Sequence, residues 1–115
     1  MPEWGALADL QFYTATGESR PVAPSAQPTG HLAEWYAGES RDYHVWLVYR
    51  PDPGFMRSRE SALTQTLASA IVLAFGDGKR HMVFAPARYV PNKDLLPMGV
   101  EYAPLPYSLF RVEKA

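Results

Sequence analysis

The side chains able to do chemistry in this sequence are few: His31, His44 and His81, twelve carboxylates, and no cysteine. Without thiols there is no disulfide, no thiolate nucleophile and no Cys-ligated zinc. Any metal or acid–base chemistry must rest on imidazole and carboxylate. Asp42 precedes His44 by two positions, and alternate residues of a strand share a face. That pair is the candidate centre of a small metal-dependent or His-dependent enzyme. Catalytic zinc needs three protein ligands. His81 could complete the set only where the strands around His44 and His81 are neighbours. His31 and Glu34, and Glu39 and Asp42, are each spaced by three.

Other chemistries find less support. No G-x-S-x-G elbow occurs, and "GESR" at 17–20 and 38–41 reads as turns. No G-x-x-x-x-G-K-[ST] phosphate loop is present, and "GDG" at 76–78 reads as a hairpin turn. No acid pair for glycoside chemistry stands out among the carboxylates. The expectation is a protein that is not an enzyme and carries no cofactor and no metal.

A binding role rests on different residues. Trp35, Tyr36, His44, Trp46 and Arg50 are the candidate binding set. Trp35, Tyr36, Trp46 and Tyr49 are interleaved with Arg41, Arg50, Lys79, Arg80 and Arg88, a mixture that suits single-stranded nucleic acid. The net charge of −1 weighs against that polyanion. Residues 1–56 sum to −4 (three basic, seven acidic) and residues 57–115 to +3 (eight basic, five acidic). A protein partner is the leading expectation.

The elements that must carry these residues read mainly as strands. "ALADLQFYTAT" alternates at Leu10, Phe12 and Thr14 and predicts a first strand. The Pro-rich stretch 19–30 is a loop, "HLAEWYA" a short strand and "GESRD" a turn. "RDYHVWLVYR", residues 41–50, alternates but keeps both faces apolar: Tyr43, Val45, Leu47 and Tyr49 on one, His44, Trp46 and Val48 on the other. A strand wet on one side would not, so a loop or second element is expected over Trp46 and His44. "PDPG" closes it as a turn. Residues 58–75 fit helix and strand periods alike; a short helix around 58–67 and a β-hairpin over 68–85 are the reading. The tail from 91 is broken by proline, with short strands near 99–103 and 107–113.

Composition sets the frame. The 115 residues suit a single domain, 1–115, able to bury a core without metal or disulfide staples. Eleven prolines argue against a helix bundle. No signal-like segment opens the chain, and the longest apolar run, "AIVLAF", is far short of the roughly 20 residues of a membrane span. No membrane partner and a cytoplasmic location are expected.

Ala8–Asp9–Leu10, then Gly17, Arg20 and Pro24, then Gly30 ahead of Trp35 and Tyr36, form a loose pattern that resembles the start of the C-terminal β-barrel of elongation factor Tu. The resemblance covers about residues 8–50, with "DYHVWLVY" and "SAIVLAF" as the next strands. The chain lacks the family's double Gly before the Arg and its Tyr-Arg-Pro after Gly30, and it shows no clear Gly-Gly-Arg near the C-terminus. It has no GTPase domain. The resemblance implies a stand-alone barrel. The combined expectation is therefore a mainly-β domain, a small β-barrel, serving as a non-catalytic binding or accessory module through a barrel face or the Pro-rich loop.

Overall fold

The computed structural model describes residues 2–21, 27, 28 and 30–105. Helix α1 runs Trp4–Thr16, where the first strand was expected. Its buried residues Leu7, Ala8 and Phe12 form one helical stripe, which overrides the alternation at 10–14. Gly17 ends it in the left-handed conformation (φ 73°), its N–H donating to the Tyr13 carbonyl. A 3-10 turn at Gly30–Glu34 leads into β1, Tyr36–Glu39. Strand β2 follows at Tyr43–Leu47. "PDPG" begins helix α2, Pro53–Met56, where the Asp52 carboxylate accepts from the Gly54 N–H.

The second half alternates helix and strand. After β3, Ala62–Leu63, the Thr64 hydroxyl accepts from the Leu67 N–H and starts α3, Gln65–Ala74. Strand β4 is Arg80–Ala85 and β5 is Ala87–Arg88. Helix α4 is Asn92–Leu95, and β6 is Val100–Pro104. The main sheet has the order β1-β2-β4-β6. Strand β1 is antiparallel to β2, whereas β2, β4 and β6 run parallel. A second, two-stranded parallel sheet joins β3 to β5.

This is a mixed α/β arrangement around an open sheet with β1 and β6 at its edges, not the expected mainly-β barrel. The barrel that the elongation-factor resemblance implied falls with it: Ala8, Asp9 and Leu10 sit in α1. The hairpin expected over 68–85 is instead a helix followed by a parallel strand, because Thr64 caps the segment and Ala68 and Ile71 bury one helical face. The helix lies at Gln65–Ala74 rather than 58–67. The strand expected near 107–113 and much of the Pro-rich loop lie outside the described residues.

The parallel topology explains the doubly apolar strand. Val45 pairs with Gly38 and Met82 on one face of the sheet. Helix α1 packs there: a Cβ on Gly38 would lie 3.5 Å from the Phe12 ring. His44, Trp46, His81 and Val83 share the other face, where Phe75 at the end of α3 stacks on His44. Strands covered on both sides are apolar on both sides. Trp46 and Leu47 are each 0% exposed. The cover over Trp46 is the end of α3, in place of the expected loop.

Candidate functional site: a tyrosine–histidine–aspartate chain at the strand ends

Strand β1 would place residues 36 and 39 on opposite faces if it were regular. Tyr36 pairs with Trp46, Gly38 with Val45 and Glu39 with His44, so Ala37 is an extra residue and the strand is bulged. The bulge turns both Tyr36 and Glu39 toward His44. Gly38 makes it possible: its φ of 145° is a backbone that side-chain-bearing residues rarely adopt. On the next strand His44 pairs with His81.

A hydrogen-bonded chain results. The Tyr36 hydroxyl lies 2.9 Å from His44 Nδ1, and His44 Nε2 lies 2.7 Å from Asp77 Oδ2. Asp77 comes from the Gly76–Asp77–Gly78 turn, whose geometry is held by the Lys79 N–H donating to Asp77 Oδ1 at 3.0 Å. The carboxylate is acceptor-only when ionised, so Nε2 carries the proton toward Asp77 and Nδ1 accepts from the phenol. Lys79 reaches across to the Glu39 carboxylate and donates to the Ser40 carbonyl at 2.8 Å. Beneath the chain the Trp46 indole N–H donates to His81 Nδ1 at 3.1 Å. Phe75 covers the His44 ring at 3.9 Å between centroids.

Burial grades this chain from inside to outside. His44 and His81 are 1% and 2% exposed, while the Asp77 side chain is 40% exposed. Burial, joined by the charges of Glu39 and Asp77, drives the Tyr36 phenol far above its ordinary value, so it stays protonated. Burial pushes His81 down to about 4, with His44 adding to the effect and Asp77 opposing it. For Asp77 burial acts upward, yet the Lys79 amide, the His44 hydrogen bond and the Lys79 charge together hold it below the ordinary carboxylate value. Among the described residues no buried side-chain polar atom lacks a partner.

The residues singled out from the sequence separate into two groups. Tyr36, His44 and Trp46 meet in the cluster just described. Trp35 and Arg50 lie elsewhere: Trp35 stacks on Phe55 at 5.6 Å, and Arg50 covers both rings while it binds Glu34 through two hydrogen bonds of 2.7 and 2.9 Å. Asp42 is not a partner of His44. It sits in the turn before β2, outside the strand where the same-face rule applies, and it is exposed beside Arg41. Glu39 and Asp77 take the place assigned to Asp42. Only the turn signal at 76–78 hinted at Asp77, and it carried no sign of what the side chain would meet.

Compared with known proteins, the chain matches no family model, no curated protein sequence and no solved structure. Among the described residues no helix is long and apolar enough to cross a membrane.

Proposed function

We propose that this domain is a non-catalytic binding module that seats an apolar segment of a partner protein along α3. One observation carries the reading. The helix sequence, "QTLASAIVLA", has no charged residue on any side, and Leu73 points outward at 85% exposure. Gln65 and Thr66 are exposed at its start, but its last turn offers solvent a large leucine with no charge beside it, the kind of apolar surface that marks an interaction site. Beside it, Pro28, Leu32, Ala70, Leu73 and Ala74 line a shallow trough. An amphipathic helix laid into such a trough is a recurring mode of recognition.

The chemistry-bearing groups support a structural role for the interior instead of a catalytic one. Tyr36 and His44 spend their polar atoms on each other and on Asp77, and Tyr36 is held protonated. The nucleic-acid alternative loses its stacking surface, because Trp35, Tyr36, Trp46 and Tyr49 are all buried. Four of its five cations, Arg41, Arg50, Lys79 and Arg80, each face a carboxylate, and the fifth, Arg88, lies over the Tyr102 ring. A cysteine-free chain fits the reducing cytoplasm, which is where we place the protein.

Leu73→Glu tests the reading. A surface change of this kind should alter folding stability by no more than about 0.5 kcal/mol. Quantitative affinity capture should then lose a protein that the wild-type domain retains. A set of captured proteins identical for wild type and Leu73→Glu would refute the trough as the binding surface.

A further inference from the structure

We propose that Glu39, His44 and Asp77 bind one divalent first-row transition ion of the Zn2+ class, which clips the Gly76–Asp77–Gly78 turn to the bulged edge strand. The three side chains can place one ligand atom each within 4.8 Å of one another. They arrive from β1, β2 and the turn before β4, so an ion would tie the adjacent strands β1 and β2 to a turn 33 positions beyond His44.

The histidine is prepared for the role. Its ring is fixed by the Phe75 stack and by the Tyr36 hydroxyl on Nδ1. Metal-bound imidazoles characteristically use their second nitrogen in this way. A tyrosine hydroxyl both donates and accepts, so it suits either tautomer. Without metal the phenol donates to Nδ1, and Nε2–H donates to Asp77. When an ion takes the Nε2 lone pair, the imidazole proton resides on Nδ1 and the phenol turns to accept it. The imidazole thus changes tautomer without net release of a proton, and the Nδ1–phenol contact is kept in both states. An imidazole nitrogen with two carboxylates favours a transition ion over Ca2+, which takes six to eight oxygens. Water would fill the remaining positions.

Lys79 is the built-in competitor. Its ammonium holds Glu39, and it must swing away for the ion to bind. The stem is flexible and its side chain is 28% exposed, so displacement needs no backbone change. The site is therefore one in which an internal cation and a metal exchange, and its affinity is set by that contest.

The test uses the untagged 115-residue chain, with Co2+ followed by visible absorption and Zn2+ followed by thermal unfolding. Wild type should saturate at one Co2+ per chain, and Zn2+ should raise the thermal midpoint. Asp77→Asn and Glu39→Gln, both toward the surface, should lose the saturation and the shift. Tyr36→Phe should weaken binding about 10- to 100-fold, the usual effect of removing a partner of a ligating histidine. Lys79→Met should tighten it. Absence of one-to-one saturation in wild type, or saturation unchanged in Asp77→Asn, would overturn the proposal. His44→Ala is unsuitable as the sole test because its ring is part of the packed interior.

Discussion

Lowering the pH from neutral to about 4 should destabilise the domain through His81. The imidazole is 2% exposed and is held down to about 4 from the ordinary 6.5, first by burial and then by His44. The groups facing it are His44, Trp46 and, more distantly, Asp77. The unfolded chain takes up a proton that the folded chain refuses. The stability gained from keeping His81 neutral is therefore complete above pH 6.5 and is lost progressively as the pH falls toward 4. The difference between 6.5 and about 4 corresponds to roughly 3–4 kcal/mol at about 1.4 kcal/mol per pH unit. That is a large share of the roughly 5–15 kcal/mol that holds a typical domain together. Urea unfolding in the presence of a chelator, followed by tryptophan fluorescence, measures it. The control is His81→Asn, whose carbonyl oxygen can stand where Nδ1 accepts the Trp46 N–H. The variant should be weaker at neutral pH but lose less stability across the window. If wild type and His81→Asn lose the same free energy between pH 6.5 and 4, the imidazole is not the group responsible and the reasoning fails.

Two further outcomes follow from the packing. Leu47→Ala and Trp46→Ala should both destabilise, by about 2–5 and 3–5 kcal/mol respectively, because both residues are fully buried on opposite faces of the sheet; chemical denaturation showing either one harmless would contradict the double cover. Gly38→Ala should cost about 1–3 kcal/mol by the same measurement, since φ is 145° and the new Cβ would stand 3.2 Å from Pro21 Cδ; no loss would mean that the bulge relaxes freely.

Much of the fold was written in the sequence in a form that strand periodicity alone could not decode. "RDYHVWLVYR" is legible as a strand, and its apolar second face is the mark of a parallel strand covered on both sides. Reading that face as the underside of a loop pointed toward a barrel. The segment "ALADLQFYTAT" offered alternation at 10–14, yet Leu7, Ala8 and Phe12 make a helical stripe and Gly17 supplies its cap. Tertiary packing against β1 and β2 decided between the two patterns. In 58–75 the capping Thr64 was the signal that outweighed β-branched content. The site was legible only in part. His44, Tyr36 and Trp46 stood out as residues, but Asp77 is 33 positions from His44, and Glu39 reaches it only through a bulge. Local spacing therefore nominated Asp42, which the turn carries away.

The polar chain also bears on how the sheet finds its register. Glu39, His44, His81 and Val100 lie side by side across all four strands. A slip of one residue in β2 would send His44 and Trp46 to the α1 face and bring Tyr43 and Val45 beneath Phe75. Apolar content barely distinguishes those registers, because both faces of this strand are greasy. The hydrogen bonds distinguish them: after a slip Tyr36 and His81 lose their partners while His44 enters an apolar layer. A buried polar group left without a partner costs about 1–3 kcal/mol, and here the buried Tyr36, His44 and His81 would be stranded together. A strand that must be apolar on both sides gains its directionality from the few polar atoms it buries, and the Tyr36–His44–Asp77 and Trp46–His81 contacts supply them.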